Sequence, residues 1–198
     1  MNNPLIFFSH IPKTGGSSLK THLKTNLNKD VKFLDSNHEL LNKFKQYENN
    51  PDNFIFTIVR NPLDRYVSML NYMWTWKDMK KWLYFHFGNS LTINQINDFN
   101  LDIILKYPIE TYNHKHCHHF GKQIIWVNFL KHNKIYKYEN GLDKIIIDIN
   151  EKYNLSILTN IPKINVSNKK FKVEDLTQEQ INKLKEVYKE DFKLWETL

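Results

Sequence analysis

Residues 5–27 read LIFFSHIPKTGGSSLKTHLKTNL, an apolar run followed by a glycine pair and then by leucines at helical spacing. The first seven residues, LIFFSHI, are typical of a buried strand. Leu19, Leu23 and Leu27 recur every four positions and predict the apolar face of a helix. The stretch therefore predicts a strand, a glycine-containing loop and a helix in direct succession.

The rest of the chain continues this alternation of strands and helices. Apolar runs predict further strands at 31–34, 53–59 and 134–138. Capping residues and apolar periodicity predict helices that begin near Ser36, at Pro62 with Asn61 as its cap, near Thr92, near Leu142 and at Thr177. The helix from Ser36 is expected because Ser36 and Glu39 have the spacing of a capping box. Together these elements predict an α/β fold with a mostly parallel sheet, in a single domain spanning 1–198.

Composition limits the partners and the compartment. The 198 residues include 28 Lys and Arg against 21 Asp and Glu, and the net charge of +7 favours anionic partners such as phosphates, acidic sugars or nucleic acid. Cys117 is the only cysteine, which excludes an intrachain disulfide framework. No apolar run reaches the roughly 20 residues of a membrane helix, and MNNPLIFF lacks the basic start of a signal peptide. We expect a soluble, cytoplasmic protein with no membrane partner.

The loop IPKTGGSSL, residues 11–19, has the composition of an anion-binding turn. Glycines allow backbone N–H groups to approach a ligand at the positive end of the following helix. Ser17 and Ser18 can add hydroxyl donors, and Lys13 can reach over the anion. An ordinary tight turn with a solvated lysine is the alternative. Because Lys13 precedes the glycines and no predicted strand ends in a metal-binding aspartate, the loop differs from a Walker A sequence, and we expect no metal requirement.

The only two arginines, Arg60 and Arg65, both lie in IVRNPLDRYVS, residues 58–68. Arg60 follows a predicted central strand, at the sheet edge where open α/β proteins bind ligands, and its planar fork suits a phosphate. A salt bridge with Asp64 is the alternative for Arg60. Arg65 is equally compatible with a structural and a functional role. Ser68 shares a helix face with Arg65.

These motifs resemble those of a known enzyme family. HIPKTGGSSL is similar to the 5′-phosphosulfate-binding loop of the sulfotransferases that use 3′-phosphoadenosine 5′-phosphosulfate (PAPS), in particular the carbohydrate branch with the heparan sulfate 2-O- and 6-O-enzymes. FTIVRNPLDRYVSMLNYM resembles the element that binds the 3′-phosphate of PAPS. IYKYENGLDKIIIDINEKYNL and IPKINVSNKKF resemble a later strand and helix and a closing basic loop. The resemblance implies a three-layer, P-loop nucleoside-kinase-like fold.

The resemblance also implies an activity and a site. The activity is transfer of the sulfuryl group of PAPS to an acceptor hydroxyl, most naturally on a carbohydrate, although the chain is short for that branch and a smaller glycan, a lipid or a metabolite is also compatible. Lys13 is expected to stabilise the leaving phosphate, and His38 is expected to act as the base, with Glu39 as a weaker candidate. The expected PAPS-binding residues are Lys13, Thr14, Gly15, Gly16, Ser17, Ser18, Arg60, Ser68, Lys169 and Lys170.

Two other classes of function are also compatible with the sequence. An ATP- or GTP-dependent kinase could use the same fold, and a non-enzymatic basic module could bind nucleic acid or sulfated glycans, but we expect no nucleic-acid partner.

The run HKHCHH, residues 114–119, is expected to be a polar loop, because contiguous ligands rarely converge on one zinc ion. The aromatic residues between 72 and 87 are expected mainly to pack in a core. Sequence leaves the acceptor and the oligomeric state open.

Overall fold

The computed structural model describes residues 3–38, 40, 42–74, 121–162 and 171–198. The chain divides into two compact units. The first comprises Met1–Pro62, Lys122–Val166 and Glu190–Leu198, and the second comprises Leu63–Gly121 and Ser167–Lys189.

A four-stranded parallel sheet forms the centre of the first unit. Its strands are β1 (Leu5–Ser9), β2 (Lys32–Asp35), β3 (Phe54–Val59) and β4 (Lys134–Lys137), in the order β2-β1-β3-β4. All four strands confirm the sequence prediction to within two residues. β1 ends at Ser9, before the end of its apolar run, because the backbone N–H of His10 turns away to the hydroxyl of Ser36, at 2.9 Å.

The helices follow the strands in the expected alternation. They are α1 (Gly16–Asn26), α2 (Pro62–Trp74), α3 (Gln123–Phe129), α4 (Asp143–Tyr153), α5 (Gln178–Val187) and α6 (Lys189–Thr197), with 3₁₀ turns at Asn42–Tyr47, Tyr138–Asn140 and Val173–Asp175. α2 begins at Pro62 as predicted. The predicted continuation of α2 beyond residue 74 and the helix near Thr92 lie outside the described residues.

The sheet of the first unit is covered on both faces, because successive strand residues point to opposite sides. On one face Ile6 and Phe8 pack in a cluster with Leu19 of α1 and Ile146 of α4. On the other face Phe7 packs in a cluster with residues of the 3₁₀ turn at 42–47 and with Leu130, which follows α3. The fold is therefore the expected three-layer α/β arrangement around a parallel sheet.

The described part of the second unit includes α2 from Leu63 onward and α5. The side-chain amide of Asn71 on α2 donates to the carbonyl of Phe171 at 2.8 Å and accepts the backbone N–H of Phe171 at 2.9 Å. Thr177 starts α5 as predicted, with a capping box in which Gln180 N–H donates to the Thr177 hydroxyl at 3.2 Å.

Two predicted helices differ in the structure. The helix expected to start at Ser36 is wrong, because the Ser36 hydroxyl accepts the N–H of His10 instead of capping, and Asn37 and His38 adopt positive φ angles of 50° and 70° in a turn. The helix expected as one piece from Thr177 is two, α5 and α6, which meet at Tyr188, where φ is −100° and ψ is 23°.

Candidate functional site

The loop between β1 and α1 presents backbone N–H groups at the positive end of a helix. α1 begins at Gly16, its capping residue is Gly15, no side chain of the described residues caps it, and its first turn contains no acidic residue. The backbone amides at such a helix start, here those of Gly16, Ser17 and Ser18, point toward the positive end of the helix and form a favourable anion site. The hydroxyl of Thr14 donates to the carbonyl of Ile11 at 2.9 Å and so braces the loop.

The backbone of the loop is held in an unusual conformation. Lys13 has a φ of 68° and Gly15 a φ of 83°. A left-handed conformation is easy for glycine and costs a lysine about 1 kcal/mol. Such non-glycine residues are concentrated at functional sites. The left-handed backbone of Lys13 therefore favours a functional role for this loop over that of a simple connecting turn.

Both glycines of the loop also make room for neighbouring side chains. A methyl group on Gly15 would lie 2.6 Å from the Tyr138 ring, and one on Gly16 would lie 2.1 Å from Nε2 of His10. The sequence suggested that the glycines let a ligand approach closely. The structure adds a second reason, which is the close packing of two aromatic rings against the loop.

Arg60 follows β3 and reaches the loop. Its Nη1 donates to the carbonyl of Lys13 at 3.3 Å, and its guanidinium lies 4.7 Å from the centre of the Tyr138 ring. Its Nε is buried, and none of the described residues accepts a hydrogen bond from it. Burial, and then the charge of Arg60, lower the pKa of Lys13 to about 8. Two like charges held together in this way favour the binding of an anion between them.

The backbone of Arg60 is fixed by residues that the sequence analysis did not identify. The side-chain amide of Gln123, at the start of α3, accepts the N–H of Arg60 at 2.9 Å and donates to its carbonyl at 2.8 Å. Asp191 of α6, which is fully buried, accepts the backbone N–H groups of Gln123 at 2.8 Å and Ile124 at 2.9 Å. A single aspartate within an otherwise amphipathic tail was the only sequence signal for this arrangement.

His38 lies beside the loop in a turn, where its backbone follows β2. Its Nδ1 lies 3.0 Å from the carbonyl oxygen of His10. Because a carbonyl can only accept, Nδ1 of His38 is the protonated nitrogen, and Nε2 is the basic one in the neutral ring. The helix predicted from Ser36 would have placed His38 in its first turn, but Asn37 and His38 lie in a turn with positive φ angles. The hydrogen bond to His10 instead determines which nitrogen is basic.

The remaining predicted residues are placed as follows. Ser68 is half-buried on α2 in the second unit. Arg65 is 3% exposed and donates from Nη1 to the carbonyl of Gly121 at 2.9 Å, which gives it a structural contact. Lys169, Lys170 and the histidine-rich run 114–119 lie outside the described residues. The described part of the chain contains no group of three side chains able to hold a metal ion, and none of its helices has the length and apolar character needed to cross a bilayer.

Comparisons with known proteins identify the family and the fold of the chain. A family model described as "Sulfotransferase family" matches residues 2–196. Among solved structures, a sulfotransferase from Alicyclobacillus acidocaldarius is similar, with a TM-score of 0.54 and 13% identity, over 100% of this chain and 96% of that chain. At this identity the likeness shows a shared P-loop-like α/β fold. A search of curated protein sequences finds no match.

Proposed function

Because the chain belongs to the sulfotransferase family, we propose that it transfers the sulfuryl group of PAPS to a hydroxyl group of a carbohydrate. The family and the fold support sulfuryl transfer in general. We propose in addition that the donor is PAPS and that the acceptor is a carbohydrate hydroxyl.

The observation that supports PAPS most directly is the approach of Arg60 to Lys13 beside an uncapped helix start. Two basic side chains and several backbone N–H groups converge on one small region, and Nε of Arg60 is buried without an acceptor among the described residues. Without a ligand this arrangement is unfavourable, because it concentrates positive charge and leaves the hydrogen-bond donor Nε of Arg60 unsatisfied. An anionic ligand with several oxygens would correct both problems.

We assign the two anionic ends of PAPS to different parts of this region. The loop amides, with Gly15, Gly16, Ser17 and Ser18, would hold the 5′-phosphosulfate. Thr14 would contribute its backbone only, because its hydroxyl already donates to Ile11.

The 3′-phosphate of PAPS would bind the guanidinium of Arg60. We also assign Ser68, Lys169 and Lys170 to the 3′-phosphate. This assignment rests only on the resemblance of their sequence motifs.

The reaction requires charge stabilisation on the donor and a base for the acceptor. The acceptor oxygen forms a bond to sulfur while the bond from sulfur to the phosphate oxygen breaks, and the acceptor proton moves to Nε2 of His38. Lys13 and the loop amides would stabilise the negative charge left on the phosphate. Since these groups supply positive charge directly, we propose a reaction with no metal requirement.

A carbohydrate acceptor is proposed from the resemblance of IPKTGGSSL to the carbohydrate branch. The net charge of +7 is compatible with an acceptor that carries carboxylates or sulfates.

Ligand-induced stabilisation tests the donor. Adenosine 3′,5′-bisphosphate is expected to raise the melting temperature, and ATP with magnesium is expected to have little effect, because only a ligand that binds the native state stabilises it. The Lys13→Gln variant should lose the response. The matched Lys137→Gln variant should keep it, since Lys137 lies on the ring of Trp195 at 3.8 Å and not in the loop.

The same experiment separates the alternatives. Stabilisation by ATP with magnesium alone would indicate a kinase. Binding to nucleic acid that weakens steeply with salt, without a response to either nucleotide, would indicate a basic binding module. Transfer of labelled sulfate from PAPS to a library of sugars, lipids and phenols would then identify the acceptor.

A further inference from the structure

The imidazole of His10 is a buried group to which the proposed reaction assigns no role. It is 4% exposed and stacks on Phe8 with ring centres 4.6 Å apart. On its other sides are the ring of His38, at 4.1 Å between centres, and the α-carbon of Gly16. A ring enclosed in this way cannot touch an acceptor, so His10 is not itself a base for the reaction.

Asp35, at the end of β2, determines the orientation of the His10 ring. Its carboxylate oxygens lie 3.2 and 3.4 Å from Nδ1 of His10, and it also accepts from Nζ of Lys20 at 2.8 Å and from the N–H of Asn37 at 2.9 Å. Burial tends to raise the pKa of Asp35, but the contact with His10 and the hydrogen bonds from Lys20 and the N–H of Asn37 hold that pKa well below its usual range. Asp35 is therefore an ionised acceptor, and Nδ1 of His10 carries a proton.

His10 contacts His38 through both its backbone and its ring. The backbone carbonyl of His10 accepts the Nδ1 proton of His38 at 3.0 Å, and the two rings pack at an angle of 58°. The first contact selects the tautomer of His38, and the second limits the rotation of its ring. Outer partners of this kind commonly orient functional histidines.

We propose that His10 is a positioning residue for His38, and that Asp35 acts through His10. This inference rests on the proposed function, in which His38 is the base. Among the described residues, the charged side chain of Asp35 from β2 contacts His10, and that of Lys20 from α1 contacts Asp35. Gly16 of the loop thus belongs to the proposed donor site, and His10, just before the loop, supports the proposed base.

The first test measures the wild-type protein. Nitrogen-15 chemical shifts of labelled histidines are expected to show the proton of neutral His38 on Nδ1. A proton on Nε2 would overturn the proposal, whatever the activity and whether or not any variant folds.

The second test changes the support without changing its shape. Asp35→Asn is expected to lower the single-turnover rate of sulfate transfer at saturating PAPS by about 10- to 100-fold, the cost that losing an outer partner has at metal-ligating histidines. It should change the affinity for adenosine 3′,5′-bisphosphate by less than about threefold, because the loop amides and Arg60 are unaffected. Asp148→Asn is the matched control. Asp148 is also an aspartate paired with a lysine, Lys134. Removing the Asp148 charge should leave the rate of sulfate transfer unchanged.

The third test removes the ring. Without the His10 ring, the His38 ring is expected to rotate away from the backbone carbonyl of residue 10, so that His10→Ala gives His38 nitrogen shifts of a mixture of tautomers, with a fall in the transfer rate. His22→Ala removes another buried histidine, whose Nε2 lies 2.7 Å from the carbonyl of Leu158, and should leave the His38 shifts unchanged. Unchanged His38 shifts in folded His10→Ala, or an unchanged transfer rate in folded Asp35→Asn, would overturn the proposal.

The proposed function can fail separately from this inference. If the wild type does not respond to adenosine 3′,5′-bisphosphate, the donor assignment is wrong, even where the His38 shifts respond to His10→Ala as expected. If the bisphosphate binds and sulfate is transferred while those shifts do not respond, only the role of His10 is wrong.

Discussion

Nη1 of Arg60 lies 3.3 Å from the carbonyl oxygen of Lys13, although the two residues are 47 positions apart in the chain. The parallel arrangement of β1 and β3 produces this contact, because both strands end at the same edge of the sheet. The contact joins the two most unusual short stretches of the sequence, the glycine loop and the segment with both arginines.

Arg60→Lys should weaken binding of adenosine 3′,5′-bisphosphate by about 10- to 100-fold. A lysine keeps the charge but loses the planar fork, the hydrogen bond to Lys13 and the contact with the Tyr138 ring. Isothermal titration calorimetry measures the change. Arg65→Lys is the comparison, since Arg65 is buried and bonded to a backbone carbonyl, and it should lower the melting temperature while the folded protein keeps its affinity. Equal affinities of Arg60→Lys and wild type would contradict the prediction.

Binding of the bisphosphate should weaken as the pH rises above about 8. Burial and the charge of Arg60 lower the pKa of Lys13 to about 8 in the free protein, and a bound anion favours the protonated amine and raises that pKa. The complex therefore holds the proton more tightly than the free protein does. The affinity should fall by up to about tenfold per pH unit above pH 8.

Calorimetry between pH 7 and 10 measures this dependence on Lys13. In Lys13→Gln the affinity should be lower throughout and should lose the decline that begins near pH 8. A wild-type affinity that stays constant up to pH 10 would show that Lys13 does not contact the anion.

Gly16→Ala should destabilise the protein by about 1–3 kcal/mol and also weaken bisphosphate binding. The added methyl group would lie 2.1 Å from Nε2 of His10, whose ring is held by Asp35. The first residue of α1 must therefore shift, and its N–H shifts with it. Urea unfolding and calorimetry measure the two effects.

Gly141→Ala is the control for that prediction. Gly141 has a φ of 88°, and a methyl group there would lie 2.3 Å from Oδ1 of Asp143, so the variant should also be destabilised. It lies outside the loop, and its affinity for the bisphosphate should remain that of the wild type. Wild-type affinity in Gly16→Ala as well would remove Gly16 from the proposed site.

The protein should lose stability as the pH falls from about 6.5 to about 4, because burial lowers the pKa of His132 to about 4. The unfolded chain, with a histidine pKa of about 6.5, takes up the proton first, so acid favours unfolding in this interval. The expected loss is on the order of 2 kcal/mol. Urea unfolding between pH 4 and 7 measures it, and His132→Gln should flatten the dependence. An equally steep loss in His132→Gln would assign it to other groups.

The sequence predicted the sheet well, because buried parallel strands are continuous apolar runs with little ambiguity. Phe54–Val59 is fully buried, and the run 53–59 predicts it to within one residue. The same holds for α4, where Ile145, Ile146 and Ile149 fall on the core face as their spacing indicates. Local apolar pattern decides such elements before any tertiary contact is considered.

The prediction failed where a tertiary partner replaced a local one. Ser36 has the sequence of a helix cap, but its hydroxyl accepts the N–H of His10, which is 26 positions away. Tyr188 continues the apolar face of its helix, yet the backbone breaks there between α5 and α6. A pattern within one segment contains no information about such partners.

The candidate site was predicted in part. Lys13, the glycine pair and Arg60 were identified because their residue types are scarce or unusually placed, and the structure brings Lys13 and Arg60 together. His10 and Gln123 were missed. A histidine inside an apolar run and a glutamine at a helix start have no distinctive spacing, and their roles depend on side chains from other elements.

The support of Arg60 has a consequence for the newly synthesised chain. Gln123, which brackets the Arg60 backbone, lies 63 positions after it, and Asp191, which fixes Gln123, lies a further 68 positions on. A nascent chain that has emerged only as far as α4 contains the glycine loop and Arg60 but not yet Asp191. The ribosome thus exposes the basic pair before the carboxylate that anchors its support, and the support of the Arg60 backbone is complete only after Asp191 has emerged.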